Sequence, residues 1–294
     1  MCGGEIIVII AHNSENSLLK KVLHITDPAL NYELLSQYSL LFMIGEQFLG
    51  CVLFHSGDKT VFFHSFLEAG GTRLTVEEVA GFLEENSWLK GPFQKVDAVS
   101  YTTRQTLVPV DLFDDDNPSY FADLQYGIQK NELILPHTIS TIGGVSLTSV
   151  PQDIFSLVNE RYANTRWSHW HEHIVSAVAQ DDAKIHLSFF LNTFSMAVEK
   201  NGQWQLVQTY NYLTPEDVLY KVLRCFEEFR IDAAVCPVSI DGLVDPDSAM
   251  VQLLSQYIPH LVWLDQLKFE YPQAAEATPA HTFALTDRIL TCVS

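Results

Sequence analysis

The sequence predicts an α/β protein in which one unit is written twice: two lobes, each with a mixed sheet that starts in a three-stranded antiparallel meander. Three observations lead there. Leu-Thr-x-Glu-acid-Val occurs at Leu74–Val79 and again at Leu213–Val218, each time after an aromatic, strand-like stretch. Apolar residues before each copy follow a period of two, and those after it follow helical spacing. Equivalent landmarks also keep their order: Phe48 to Phe194 is 146 positions, Thr75 to Thr214 is 139 and Val96 to Ile231 is 135.

The first ~35 residues carry no strong pattern, so 1–35 is expected as an N-terminal arm, loosely attached over Met1 to Ser17. The first lobe then spans 36–163. Leu40 to Ile44 and Phe48 to Phe54 read as strands joined by a tight turn at Gly45, with a third strand over Thr60 to Phe66. Thr75 caps a helix whose Val79, Phe82 and Leu83 share one face, and Glu78 can reach back to the cap. Val96 to Val99 is a fourth strand. Ser146 to Pro151 is a strand ending at a helix that places Ile154, Leu157, Val158 and Tyr162 on one side.

The second lobe spans 164–294 and opens with a helix expected over Ser168 to Ala179. Ile185, Leu187, Phe189 and Leu191 alternate, as do Phe194, Met196 and Val198; Asn201-Gly202 suits a two-residue hairpin, and Trp204 to Tyr212 is the third strand. Thr214, Pro215 and Asp217 start a helix with an apolar face of Val218, Val222, Leu223, Phe226 and Phe229. Ile231 to Val235 is expected as its fourth strand; Ser239 to Gly242 ends a strand, and Met250 to Tyr257 is a helix.

Composition excludes several functions. The 294 residues are 47% apolar, enough for a sizeable core, and 17 Lys plus Arg against 36 Asp plus Glu leave a charge of −19 that repels phosphate backbones and anionic membranes. Nucleic acid is therefore not an expected partner, nor is direct membrane insertion, since the apolar run Ile6 to Ala11 is too short to span a bilayer. Five cysteines without a Cys-x-x-Cys pair fit a reducing compartment, so a cytoplasmic location is expected.

Thr106-Leu107-Val108-Pro109 with Leu112-Phe113, the Asn201-Gly202 turn, Tyr212 to Asp217 and the segment from Asp287 to Cys292 are similar to domain-of-unknown-function family 3822, a bacterial family. That family resembles the pilus-assembly and cell-division branch of actin-like ATPases, and the resemblance implies the duplicated actin-like (ribonuclease H-like) fold from Tyr38 onward. In such proteins the first hairpin turn of each lobe carries an Asp and Gly, the carboxylate handling Mg²⁺ and its water while glycine lets backbone N–H groups approach phosphate. Here the first turn reads Ile44-Gly45-Glu46-Gln47 and the second Leu191-Asn192-Thr193. Near the adenosine position stands Ile240-Asp241-Gly242-Leu243, a partial match. The implied cofactor-binding set is thus Gly45, Glu46, Asn192, Thr193, Asp241 and Gly242, with most phosphate residues missing and only 14 glycines in the chain, below the usual ~7% share. No Walker-type loop and no nucleophile elbow occur either.

The expectation is a non-catalytic scaffold or protein-interaction module with a degenerate nucleotide site and no bound cofactor, its partner being another protein or a second copy of itself. Two alternatives stand beside it. One is a divergent ATP-binding switch. The other is a metal-dependent enzyme with an unrelated pocket, drawn from His169 and His173, whose i,i+4 spacing can bind Zn²⁺ on a helix but needs a further ligand. Without that ligand they form a His/Trp patch and no metal site is assigned; Asp114-Asp115-Asp116-Asn117 reads as a solvated turn and helix cap.

Overall fold

The computed structural model describes residues 19–175 and 183–294. They divide into two units. One runs through Trp170 and takes in Phe269–Ala277 and Val293–Ser294; the other is His171–Lys268 with Thr278–Cys292.

The first unit opens with β1 (Leu19–Thr26), β2 (Ser39–Gly45), β3 (Phe48–His55), β4 (Thr60–Ala69), helix α1 (Val76–Glu85) and β5 (Lys95–Tyr101). An antiparallel group follows, β6 (Gln105–Pro109), α2 (Ser119–Tyr126), β7 (Glu132–Ile139) and β8 (Gly144–Pro151), then α3 (Gln152–Arg161) and β9 (Arg166–His169). The main sheet has the order β1-β4-β3-β2-β5-β9, with β2, β5 and β9 parallel and the other pairs antiparallel. β2 is buried along its whole length, which is why its sequence is a continuous apolar run rather than an alternation. A separate three-stranded sheet, β6-β8-β7, has its own core of Val108, Ala122, Ile134, Val145 and Leu147.

The helix α4 (Trp170–Val175) leads to β10 (Ala183–Phe190), β11 (Thr193–Lys200), β12 (Gln203–Asn211), α5 (Pro215–Glu228), β13 (Val238–Gly242), α6 (Ala249–Tyr257), β14 (Leu261–Trp263) and α7 (Ala284–Val293). These strands form a sheet of order β12-β11-β10-β13-β14, again antiparallel through the first pairs and parallel through β10, β13 and β14. One face, carrying Ile185, Leu187, Phe189 and Ile240, packs with Val218, Val222 and Leu254 from α5 and α6.

Both helix entrances are closed by the reciprocal bonds their sequences specify. The Thr75 hydroxyl accepts from Glu78 N at 3.2 Å while Glu78 Oε2 accepts from Thr75 N at 2.8 Å; Thr214 and Asp217 repeat this at 3.4 and 2.9 Å. Each device satisfies N–H groups that a helix start leaves without an internal partner.

Three expectations give way. Ile231 to Val235 is a turn rather than a strand: Asp232 Oδ1 accepts from Ala234 N, and Asp232 O accepts from Val235 N and Cys236 N, so the side chain bends the backbone locally. The strand stands at Val238–Gly242 instead. Leu19–Thr26, within the stretch expected as an arm, pairs with β4 through a register shift between Lys21 and Leu23 that interrupts its alternation. Finally, His169 ends β9 whereas His173 lies in α4, so the two do not share a helical face. The expected arm over Met1 to Ser17 and the end of the helix expected to Ala179 lie outside the described residues.

Candidate functional site

The turn between β2 and β3 is built into its own unit. Glu46 O accepts from Leu74 N at 2.7 Å, Gln47 O from Ala69 N at 2.8 Å, and the Gln47 amide donates to Thr72 O at 2.9 Å. The Glu46 carboxylate is engaged as well, its Oε1 accepting from the Thr102 hydroxyl at 3.0 Å and from Thr103 N and Oγ1 at 2.8 and 2.5 Å. Gly45 is buried, and a Cβ there would stand 2.2 Å from the Phe48 ring. That ring is held by Phe66 and Tyr101, with centroids at 6.0 and 5.5 Å. The space that a side chain at position 45 would take is here filled by an aromatic ring.

Beside this turn is a hollow of about 50 Å³ lined by Gly45, Glu46, Arg73, Arg104 and Glu132 among others, room for a few waters but far below the ~300 Å³ at which ligand pockets begin. Its main cation is spoken for. Arg104 meets Glu132 in a two-pronged ion pair, both contacts 2.8 Å, and lies 4.9 Å from the centre of the Tyr126 ring. Burial alone would raise the Glu132 pKa, but the Arg104 bonds hold it below its ordinary value.

In the second unit the two-residue turn Leu191-Asn192 joins β10 to β11, with Leu191 at φ +46°, a left-handed conformation uncommon for a branched side chain. Asn192 is exposed and its carbonyl accepts from Tyr212 N at 3.0 Å; the Thr193 hydroxyl donates to Phe190 O at 2.9 Å. Gly242 pairs with Phe189 at this same end of the sheet. Its φ of +92° and a distance of 2.2 Å from a would-be Cβ to Phe189 O leave room for no other residue. Asn192, Thr193 and Gly242 therefore belong to one end of the sheet, as a nucleotide-binding lobe would require.

The Asp241 side chain is occupied elsewhere. It is wholly buried and receives the Ser188 hydroxyl on Oδ1 and Arg288 Nη2 on Oδ2 at 3.4 Å. His186 Nε2 stands 3.0 Å from Arg288 Nη1, 3.1 Å from Ser188 Oγ and 3.3 Å from Asp241 Oδ2, and its Nδ1 stands 2.9 Å from Ser239 Oγ. Burial, then Arg288, keep His186 neutral by lowering its pKa against the pull of Asp241. Burial works to raise the Asp241 pKa, but His186, Arg288 and Ser188 hold it below the usual carboxylate range.

Ser, His and Asp thus meet without forming a nucleophilic triad. Ser188 is fully buried and gives its proton directly to the Asp241 carboxylate, although His186 Nε2 also lies 3.1 Å from its oxygen. Sequence reasoning missed His186, Ser188 and Arg288 because the β10 alternation was read for its apolar half, Ile185, Leu187 and Phe189; the residues between them carried the signal. Next to this network lies a cleft of about 560 Å³ whose walls include Lys184, His186, Trp263, Lys268 and Arg288.

Among the described residues no group of three or more His, Cys, Asp and Glu side chains is arranged to hold a metal ion, and no helix is long and apolar enough to cross a membrane.

Among solved structures the chain is similar to a Bacteroides thetaiotaomicron protein with actin-like ATPase fold and unknown function, at 14% identity and a TM-score of 0.74, covering 90% of this chain and 99% of that one. It is also similar to the PilM-PilN type IV pilus biogenesis complex, at 13% identity and a TM-score of 0.56, covering 86% and 98%. The chain therefore has the mixed α/β fold of actin-like ATPases. No curated protein matches it. The family model described as "Protein of unknown function (DUF3822)" matches residues 27–261, and with most of its length inside that match the chain belongs to the DUF3822 family.

Proposed function

We propose that this protein is a non-catalytic actin-like scaffold, a duplicated two-lobed chain that binds another protein and does not use nucleotide. The observation that carries this reading is the Phe48 ring filling the space beside a buried Gly45, next to a Glu46 carboxylate whose Oε1 is taken by Thr102 and Thr103. A working phosphate turn needs free N–H groups and a carboxylate open to Mg²⁺ water. The duplication is supported by the matching orders β4-β3-β2-β5-β9 and β12-β11-β10-β13-β14. A protein partner is supported by PilM, whose solved complex is with PilN.

A divergent ATP-binding switch is the second reading, favoured by the exposed Asn192 turn with its strained Leu191. Isothermal titration of the full chain with ATP and Mg²⁺ separates the two. The scaffold reading expects no heat of binding; saturable micromolar binding that Gly45→Val abolishes would establish the switch instead.

A further inference from the structure

We infer that the outer surface of the small β6-β8-β7 unit is a docking site for a basic, apolar segment of a partner protein, an inference that rests on the scaffold reading above. Eleven large hydrophobic side chains are exposed among the described residues, and four of them, Val110, Leu112, Tyr120 and Leu124, fall within 15 positions of this unit. Their exposure is deliberate in pattern. Ala122 turns the inner face of α2 onto the local core with Phe121 partly buried beside it, while Tyr120 and Leu124, four apart, share the side away from Ala122 and Leu124 stays 74% exposed. Val110 and Leu112 sit in the single 3-10 turn that follows β6, and Phe113, next in the chain, returns to the core against which α2 packs.

Charge decides the occupant. From Val110 to Tyr126 there are five acids, Asp111, Asp114, Asp115, Asp116 and Asp123, all exposed, and no Lys, Arg or His. Exposed apolar side chains interleaved in the sequence with exposed carboxylates suit a segment that presents leucine-like side chains with lysines or arginines beside them. A second copy of this chain does not, since at a net charge of −19 it would bring acid against acid.

The test uses a synthetic 14-residue Leu/Lys amphipathic peptide carrying a photo-cross-linker, with the Leu/Glu peptide of the same pattern as control. Mass mapping on the full chain is expected to place the Leu/Lys cross-links within residues 110–126, with at least a tenfold loss of affinity in Tyr120→Ser/Leu124→Ser and a melting temperature close to that of the parent. Cross-links spread over other acidic surfaces, or equal binding by the double variant, would overturn the site. So would a parent dimer that the double variant dissolves, because the occupant would then be a second copy. These outcomes are independent of the ATP titration, so the docking surface and the nucleotide-free reading can fail separately.

Discussion

Arg288 on α7 holds Asp241 on β13, its Nη2 lying 3.4 Å from Oδ2 of a carboxylate with no exposure to solvent. Among the described residues Arg288 is the permanently charged group paired with that carboxylate, with His186 Nε2 standing 3.3 Å from Oδ2. Deleting one member of a buried pair leaves an uncompensated charge, typically about 3–5 kcal/mol. Arg288→Met is therefore expected to cost that much in urea unfolding, while Arg288→Met with Asp241→Asn costs less than the two single changes added. Lys20→Met, which removes an exposed pair with Glu68, is expected to cost under about 1 kcal/mol. Equal costs for Arg288→Met and Lys20→Met would show that the network contributes nothing.

The two glycines of the implied cofactor-binding set, Gly45 and Gly242, are constrained from within, and unequally. An added methyl at Gly45 meets the Phe48 ring, which can shift at the ~1–3 kcal/mol typical of overpacking. At Gly242 it meets the Phe189 backbone, which cannot shift without breaking the β10–β13 ladder, and the left-handed φ adds about 1–2 kcal/mol. Thermal denaturation is expected to rank Gly242→Ala as clearly the more damaging. The reverse order would place the tighter constraint at the aromatic ring.

What could be read from the sequence was what depends on neighbours in the chain. The capping boxes at Thr75 and Thr214 and the Asn201-Gly202 turn, with φ of +52° and +70°, need only local chemistry. Ile231 to Val235 looks like a strand because Ile-Asp-Ala-Ala-Val follows its helix as Val-Asp-Ala-Val follows the first one at Val96, yet Asp232 folds it into a turn, a competition between likeness and side-chain hydrogen bonding that position alone cannot settle. His186, Ser188, Asp241 and Arg288 were illegible as a group because they converge from two strands and a helix up to 102 positions apart. Phe48 over Gly45 was missed for a different reason: the residues are three apart, but the ring's direction is set by Phe66 and Tyr101.

Buried histidines make the fold sensitive to mild acid. Burial lowers His24 to about 4, with Lys21 adding to it, and lowers His64 and His171 to about 3 each. Each is neutral when folded and gains a proton near pH 6.5 when unfolded, so the unfolded state binds more protons below that pH. Their contribution is complete above about 6.5 and is lost as pH falls towards the folded values, at about 1.4 kcal/mol per pH unit for each group. Urea midpoints are expected to drop steadily between pH 6.5 and 4.5, above the range where Asp241 begins to titrate. His64→Leu is expected to flatten that slope by about one proton; an unchanged slope would mean that His64 keeps its charge state on unfolding.

The two helix entrances use one sequence device with different strength. Glu78 is nearly buried and does three jobs: Oε2 accepts from Thr75 N and its hydroxyl at 2.8 and 3.0 Å, and Oε1 accepts from Gly70 N at 2.8 Å. Asp217 is exposed and accepts from Leu213 N and Thr214 N at 3.0 and 2.9 Å, N–H groups that water can reach when it is removed. Loss of Glu78 breaks three part-buried hydrogen bonds at once, each worth about 0.5–1.5 kcal/mol. Glu78→Ala is therefore expected to lower stability by about 2 kcal/mol or more, and Asp217→Ala by distinctly less, although both break the same motif. Thr75→Ala and Thr214→Ala, which remove only the cap hydroxyl, should each cost about 1 kcal/mol. If Asp217→Ala proved as costly as Glu78→Ala in chemical denaturation, burial would not be what separates the two caps, and the bond from Gly70 would be energetically silent.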